Sequence, residues 1–328
     1  MNASRPEADL ASPAADALQP RRTGDGSLSL WSERFGEAFH SGQGAHAEAL
    51  AKFVAPAQLE RFPAGSRLRV LDVGVGLGYN SAALLEAAQG QQLQLAWIGL
   101  ELDPRPLSLA LADAGFRALW QPATLAALEQ LQREGRWRSG GSSGRWQLGD
   151  ARQQLGPVLQ QWAGQCDLVL HDAFSPGHCP ELWSLEFLSG LARLLQPRGR
   201  LLTYCAAAAV RRALELAGLE LASIAAAGDT PRQWCAGTAA SPEPWCWSPS
   251  PRGSEPLLRP LTAMEREHLL TRAAEPYRDP SGTATAAAIE AERAARQQHS
   301  SGLSTSAWRR RWGLERRPQP GAEPGGAA

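Results

Sequence analysis

The chain has 328 residues with 33 basic and 33 acidic side chains, so its formal net charge is zero and gives no general argument for nucleic-acid binding. Five scattered cysteines, without a C-x-x-C pair or histidines at ligand spacing, argue against a disulfide framework and a zinc site. The N-terminus lacks the apolar core of a signal peptide, and no run has the length of a membrane span. We therefore expect a cytoplasmic protein without metal or membrane partners.

Residues 1–24, rich in alanine and proline, predict a disordered leader. A lead-in over 25–66 follows, with a turn into a short alternating strand over 25–32 and an amphipathic helix at 44–54. We expect both to belong to a main domain that ends near residue 240.

Residues 70–80 are the most informative stretch, because an apolar run ends there in three alternating glycines before a helical pattern. This predicts a strand, a tight turn and a helix N-terminus whose N–H groups face a ligand. A dinucleotide loop has the spacing G-x-G-x-x-G, but its last small position is Tyr79 here. The G-x-G-x-G spacing instead resembles the S-adenosylmethionine (SAM) loop of Rossmann-like methyltransferases. The predicted cofactor-binding residues of this stretch are Asp72, Gly74, Gly76, Gly78 and Asn80.

Alternating strands and helices follow the loop. Strands are predicted at 95–100, 145–148, 167–171 and 200–204, and a closing hairpin at 219–225 and 232–238. The intervening residues predict helices, with an insertion at 116–146 that contains a polar loop at 138–144. The expected fold is a doubly wound α/β domain with a seven-stranded, mostly parallel sheet and its ligand at the carboxyl edge.

Acidic residues recur at the predicted strand ends. Glu101 follows the second strand, where nucleotide-binding folds hold ribose hydroxyls, and Asp103 is the alternative. Asp150 and Ala151 follow the third strand and Asp172 the fourth. A single acid in such a place could be a helix cap. Four acids in register with the glycine loop instead indicate a SAM site: Asp72, Glu101, Asp150 and Asp172.

Asp172 and Phe174 are the predicted catalytic residues, in the turn that follows the fourth strand. SAM already carries an electrophilic methyl group, so the enzyme mainly positions a nucleophile. If this is an amine, a carboxylate can accept its hydrogens and a proton, while an aromatic ring stacks on the substrate or borders the methyl pocket. A helix cap and core packing are the alternatives. His171 is expected in the core, and His178 is a weaker second base.

The segment from His171 to Trp183 (HDAFSPGHCPELW) resembles the signature of MnmC-like methyltransferases, as do residues 32–37 and 194–212. The resemblance covers about residues 27–225 and continues faintly through 268–280. It implies SAM-dependent methylation of the aminomethyl group on the wobble uridine of tRNA, with Asp172 and Phe174 at the substrate amine. Substrate contacts expected from this segment and its neighbours are Ser175, Pro176, Arg211 and Arg212.

The chain beyond residue 240 changes in composition. Residues 241–260 predict a proline-rich linker, and 261–328 a helical extension with a disordered end. Trp308 to Trp312 interleaves arginines with indoles, so Arg309, Arg310 and Arg311 are predicted to contact the tRNA near its anticodon. Tryptophans docked on the domain are the alternative.

Two features separate the chain from bifunctional family members. No second dinucleotide fingerprint follows residue 240, so we expect the flavin oxidoreductase half to be absent. Residues 206–210 are alanine-rich, where polar substrate contacts would be expected. A spermidine-synthase-like aminopropyltransferase, a small-molecule N-methyltransferase and a non-catalytic SAM-fold binding module remain alternative functions.

Overall fold

The computed structural model describes residues 16–42, 44–225, 235–247 and 257–314. A small antiparallel sheet comes first, with strands β1 (Leu18–Arg22), β2 (Leu28–Ser32) and β3 (Glu37–Ala38) in that order. The predicted leader therefore ends too late, because β1 pairs along its whole length with β2. Residues 1–15 lie outside the described residues.

The main sheet has nine strands among the described residues, in the order β12-β10-β11-β9-β8-β4-β5-β7-β6. Their bounds are β4 Arg67–Val73, β5 Gln94–Glu101, β6 Arg136–Ser139, β7 Ser142–Leu148, β8 Cys166–His171, β9 Leu195–Thr203, β10 Glu220–Ile224, β11 Gly237–Ser241 and β12 Leu258–Arg259. Six of them, β4, β5 and β7 to β10, run in one direction, so the sheet is mostly parallel as predicted.

Three details of the predicted sheet are wrong. The polar loop at 138–144 is instead an antiparallel hairpin, in which Ser139 pairs with Ser142. The second strand of the closing hairpin is β11, not 232–238, and residues 226–234 lie outside the described part of the chain. Short strands β6 and β12 extend the predicted seven to nine, and β12 falls inside the predicted linker.

Helices cover both faces of the sheet. Their bounds are α1 Ala45–Ala49, α2 Ala55–Ala57, α3 Tyr79–Gly90, α4 Arg105–Ala112, α5 Ala114–Arg117, α6 Pro122–Glu134, α7 Ala151–Trp162, α8 Leu185–Leu194, α9 Ala208–Leu216, α10 Ala263–His268, α11 Ala286–His299 and α12 Thr305–Arg311. A π-helical stretch, Leu50–Val54, joins α1 to α2. None of the helices in the described ranges combines the length and apolarity needed to cross a membrane.

Strand β4 separates two apolar cores. Leu68 and Val70 face a core formed with α3, α4 and α6, whereas Leu71 and Val73 face one formed with α7, α8 and α9. This alternation follows from the period of two in a strand, and burial on both faces explains why the parallel strands read as continuous apolar runs. Because β5 and β8 flank β4 and their connections cross opposite faces, a crevice opens at the carboxyl end of β4.

The C-terminal extension packs against the sheet domain through a buried ion pair. The Arg211 guanidinium on α9 lies 3.1 Å from the Glu265 carboxylate on α10, and their side chains are 1% and 0% exposed. Arg211 also donates to Thr238 and Ser223. A buried guanidinium requires such partners, so the extension is part of the folded domain.

Candidate active site

A cavity of about 480 Å³ lies at the carboxyl edge of the sheet, at the switch point beside β4. Its volume falls within the range of about 300–1,000 Å³ typical of small-molecule sites. Of the predicted site residues, those that line it are Gly74, Gly76, Asn80, Glu101, Asp103, Asp150, Ala151, Asp172 and Phe174. The structure therefore brings most of the predicted cofactor residues together with both predicted catalytic residues.

The glycine loop requires glycine for two different reasons. Gly74 has φ +80°, and a Cβ there would lie 2.7 Å from the carbonyl oxygen of Asp172, so the two strand ends approach more closely than a side chain permits. Gly78, with φ +88°, does not line the cavity. A Cβ there would lie 2.9 Å from Leu107 of α4. Gly78, which is predicted to bind the cofactor, thus lies where α3 packs against α4.

Asp72 also lies behind the loop rather than in the cavity wall. Its side chain is fully buried at the end of β4 and accepts a hydrogen bond of 2.6 Å from Ser81 in the first turn of α3. Burial raises the pKa of Asp72 to about 6. Asp72, which is predicted to bind the cofactor, therefore does not line the cavity. Asp72 instead fixes the start of the helix that follows the loop.

Glu101 lies at the end of β5 and is tied to the glycine loop. One carboxylate oxygen accepts the Gly76 N–H at 2.7 Å, and the other accepts the N–H groups of Leu102 and Asp103. Burial raises the pKa of Glu101 to about 7, although these hydrogen bonds favour its ionised form. Asp103, the alternative, is held by Arg105 at 2.6 Å. Both acids face the cavity, so the choice between them stays open.

Asp150 caps helix α7 and forms the cavity wall at the end of β7. Its carboxylate accepts the N–H of Arg152, whose guanidinium also lies 2.6 Å from it. Arg152 is almost completely buried and also contacts Asp279 of the C-terminal extension. The predicted alternative of a helix cap therefore holds for Asp150, but a capping residue can line a cavity as well.

Asp172 follows β8 and faces the loop across the switch point. Its carboxylate accepts a 2.7 Å hydrogen bond from the Asn80 side chain. Burial raises the pKa of Asp172 to about 7, and this hydrogen bond opposes the rise. Asn80, predicted to hold the cofactor, thus also orients the predicted base. A carboxyl group with a pKa near neutrality is suited to accepting a proton.

Phe174 lies in an aromatic cluster that the lead-in supplies. Its ring stacks on Phe35 at 4.3 Å between centroids and meets the edge of Phe39 at 4.9 Å. The same lead-in holds the turn through Glu37, which accepts the N–H of Ser175 at 2.8 Å. Residues 35–39 therefore cover one side of the cavity. Ser175 and its neighbour Pro176 lie outside the wall that the described residues form.

The two histidines near this turn have structural contacts. His171 is fully buried, stacks on Trp183 and lies 2.8 Å from the Leu182 carbonyl oxygen. Burial lowers the pKa of His171 to about 4, so it is neutral. His178 donates to the Phe35 carbonyl oxygen at 2.6 Å. The expectation of a core position for His171 is confirmed, and His178 helps to hold the lead-in.

Glu48 and Lys52 are among the charged cavity residues that the sequence analysis did not predict. Glu48 and Lys52 form an ion pair of 3.0 Å along the helix of the lead-in, and each side chain is 15% exposed. Lys52 is also the only lysine of the chain. Their i,i+4 spacing on an otherwise apolar helix was an available signal. It could not show that this helix borders the cavity, where Lys52 Nζ lies 6.0 Å from the centre of the Tyr204 ring.

The predicted RNA contacts lie away from the cavity. Arg211 cannot meet a substrate because it is buried in its ion pair with Glu265, and that prediction is wrong. Arg212, next to it on α9, is exposed and lies 3.2 Å from Glu215. Arg309 to Arg311 are exposed on α12, whose Trp308 stacks on His268 at 4.0 Å. Trp308 thus docks on the domain, while the neighbouring arginines face solvent.

Comparisons with known proteins agree with this geometry. Residues 119–237 match the family model described as S-adenosyl-L-methionine-dependent methyltransferase. The crystal structure of MnmC2 from Aquifex aeolicus has a TM-score of 0.68 and 28% identity, over 88% of this chain and 87% of that one. The bifunctional protein MnmC of tRNA 5-methylaminomethyl-2-thiouridine biosynthesis from Cupriavidus necator is 33% identical over 58% of this chain. Its counterpart from Azoarcus sp. is 31% identical over 58%.

The chain spans about a third of the length of these two bifunctional relatives, 30% and 31%. The cavity fits SAM, because ribose hydroxyls and an adenine amino group are donors and the wall presents the carboxylates of Glu101, Asp103 and Asp150. The glycine loop allows a ligand to lie close to the backbone. The chain therefore contains an MnmC-like, SAM-dependent methyltransferase domain.

Proposed function

We propose that this chain methylates the primary amine of 5-aminomethyl-uridine at the wobble position of tRNA, giving 5-methylaminomethyl-uridine. The observation that carries the proposal is the position of Asp172, a half-buried carboxyl group with a pKa near 7, in the same cavity as the glycine loop. The printed names of the bifunctional relatives support a substrate of this class. With tRNA as substrate, we expect the chain to act in the cytoplasm.

The chemistry requires a neutral amine in line with a methyl group. When bound, SAM supplies that methyl on a sulfonium, and the C–S bond breaks with its electron pair on sulfur as the N–C bond forms. An alkylammonium has a pKa of about 10, so it reaches the site protonated. The Asp172 carboxylate, held by Asn80, accepts the amine's hydrogens and takes up one proton. This leaves the nitrogen lone pair directed at the methyl group.

The charge of the cavity also suits an ammonium group. Burial is the main cause of the raised pKa of Asp172; the carboxylates of Asp72 and then Glu48 raise it further, whereas Lys52 lowers it. Lys52 is paired with Glu48, so the surplus charge at this end comes from Asp172. An arriving ammonium would stabilise the ionised form of Asp172. We therefore assign this end of the cavity to the substrate amine.

The remaining substrate contacts are proposed from two features: a place at the cavity or in the turn beside it, and an arginine side chain exposed to solvent. Phe174 borders the cavity and can contact the uracil ring, with Ser175 and Pro176 next to it in the turn. Arg212 and Arg309 to Arg311 are exposed and can contact phosphates, the salt-dependent part of RNA binding. Arg211 is excluded from this set by its burial.

Nucleosides from cells lacking this protein test the proposal. We expect 5-aminomethyl-uridine to accumulate in their tRNA, and wild-type protein to remove it, whereas Asp172→Asn does not. Gly177→Ala is the matched control from the same turn, where an added Cβ meets no atom within 4 Å, and it should restore the modification. An unchanged nucleoside profile would contradict the proposal. A loss of spermidine from the same cells would favour the aminopropyltransferase alternative.

A further inference from the structure

The C-terminal extension reaches the cavity wall through one arginine. Arg152 donates from Nη1 to Asp279 at 2.7 Å, and from Nη2 to Asp150 at 2.6 Å. Asp150 lines the cavity, whereas Asp279 lies 127 residues further along the chain than Arg152. A segment outside the residues matched by the methyltransferase family model is thus connected to the cavity wall through Arg152.

The chain of ion pairs from Asp150 through Arg152 to Asp279 is largely buried, and hydrogen bonds hold its side chains in place. The side chains of Arg152 and Asp279 are 4% and 1% exposed, and that of Asp150 is 15% exposed. The second oxygen of Asp279 accepts the Ala284 N–H and the Ser281 hydroxyl. Arg152 therefore has a carboxylate partner on each side, and loss of Asp279 would leave Asp150 as the one carboxylate paired with it among the described residues.

A third carboxylate lies near the same guanidinium. Glu181 lines the cavity and is 6% exposed, and its Oε2 has no hydrogen-bond partner among the described residues. Arg152 and Glu181 interact electrostatically. Without Asp279, Arg152 would lose one partner while an unpaired acceptor lies nearby. The guanidinium would then shift toward Glu181 and lose its alignment with Asp150.

We propose that Asp279 is a positioning residue of the cofactor site, which acts through Arg152 to hold the Asp150 carboxylate in the geometry that binds SAM. The C-terminal extension is then part of the cofactor site as well as of the fold. The inference rests on the assignment of Asp150 to the cofactor, and it requires neither tRNA nor the proposed wobble substrate.

Calorimetry with S-adenosylhomocysteine tests this directly on the full chain. Asp279→Asn keeps the shape of the side chain and removes its charge, and we expect the Kd to rise about tenfold. At saturating SAM, kcat should stay within about twofold, because the Asp172 end is untouched. The matched control is Arg278→Gln on the same segment, which does not contact Arg152 and breaks only the 2.6 Å pair with Glu186 of α8. The other carboxylate oxygen of Glu186 keeps its hydrogen bond from the Asp279 N–H. Arg278→Gln should leave the Kd unchanged.

A double-mutant cycle separates positioning from loosening of the fold. In an Asp150→Asn background, Asp279→Asn should change the Kd no further, since its effect passes through Asp150. Three results would overturn the proposal: a wild-type Kd for Asp279→Asn, an equal rise for Arg278→Gln, or equal increments in both backgrounds. Because S-adenosylhomocysteine binding needs no tRNA, the Kd values test this proposal even if the protein does not methylate tRNA.

Discussion

Loss of the Asn80 side chain should shift the pH dependence of methyl transfer to higher pH. Asn80 donates a 2.7 Å hydrogen bond to Asp172, and this bond favours the ionised carboxylate. In Asn80→Ala the charged form loses that partner, while burial still favours the protonated form. The pKa of Asp172 therefore rises above its value of about 7.

The size of the shift follows from the hydrogen bond. A bond to a charged group contributes about 1.5–3 kcal/mol net, and one pKa unit corresponds to about 1.4 kcal/mol. We therefore expect the pKa of Asp172 to rise by about one to two units in Asn80→Ala. The acidic limb of kcat/KM for the amine acceptor, which reports the base of the free enzyme, should move by that amount.

The assay is the pH profile of kcat/KM for aminomethyl-uridine tRNA at saturating SAM, so that altered cofactor affinity does not contribute. Ser81→Ala is the control from the same helical turn. It removes the hydrogen bond to Asp72, which makes that carboxyl more neutral and lowers rather than raises the pKa of Asp172. An acidic limb that stays in place, or moves to lower pH, in Asn80→Ala would refute Asp172 as the base.

Three further predictions concern the base, the loop and the C-terminal contact. Asp172→Asn should lower methyl transfer at least about 100-fold. The pKa of Asp172 is raised in the folded state, so its contribution to stability is lost as the pH rises from about 4 to 7. In urea unfolding, Asp172→Asn should therefore be more stable than wild type by up to about 4 kcal/mol at pH 8 and by little at pH 4. The same stability difference at both pH values would contradict this. Gly74→Ala should weaken S-adenosylhomocysteine binding in calorimetry, since its Cβ meets the Asp172 carbonyl oxygen, and a wild-type Kd would refute the close approach. Arg211→Met should lower the free energy of unfolding by about 3 kcal/mol, because buried Glu265 then keeps only Arg259 as a cationic partner among the described residues. Exposed Arg212→Met should cost under about 0.5 kcal/mol, and similar losses for the two variants in urea unfolding would contradict the burial of Arg211.

Much of the cavity could be predicted because parallel strands end at one edge of a sheet. Once the chain reads as a doubly wound fold, the acids at 101, 150 and 172 must lie together with the glycine loop. The same reasoning could not separate Asp72 from this set. A strand end has two faces, and the sequence does not show that Asp72 faces Ser81 behind the loop.

Contacts between segments distant in sequence could not be predicted. Glu48 and Lys52 belong to a helix of the lead-in, and no local pattern shows that it folds over the cavity. Arg211 is predicted to contact the substrate because it lies in the 194–212 segment that resembles the family. Only the packing of α10 on α9 shows that it is buried against Glu265.

The central claim is that one cavity holds SAM beside a carboxylate that prepares a primary amine for methylation. The most direct test incubates the protein with SAM labelled in its methyl group and tRNA carrying 5-aminomethyl-uridine, followed by mass spectrometry of the nucleosides. We predict label on the nitrogen of the aminomethyl group with wild-type protein and almost none with Asp172→Asn. Label elsewhere in the tRNA, or equal labelling by the two proteins, would contradict the account.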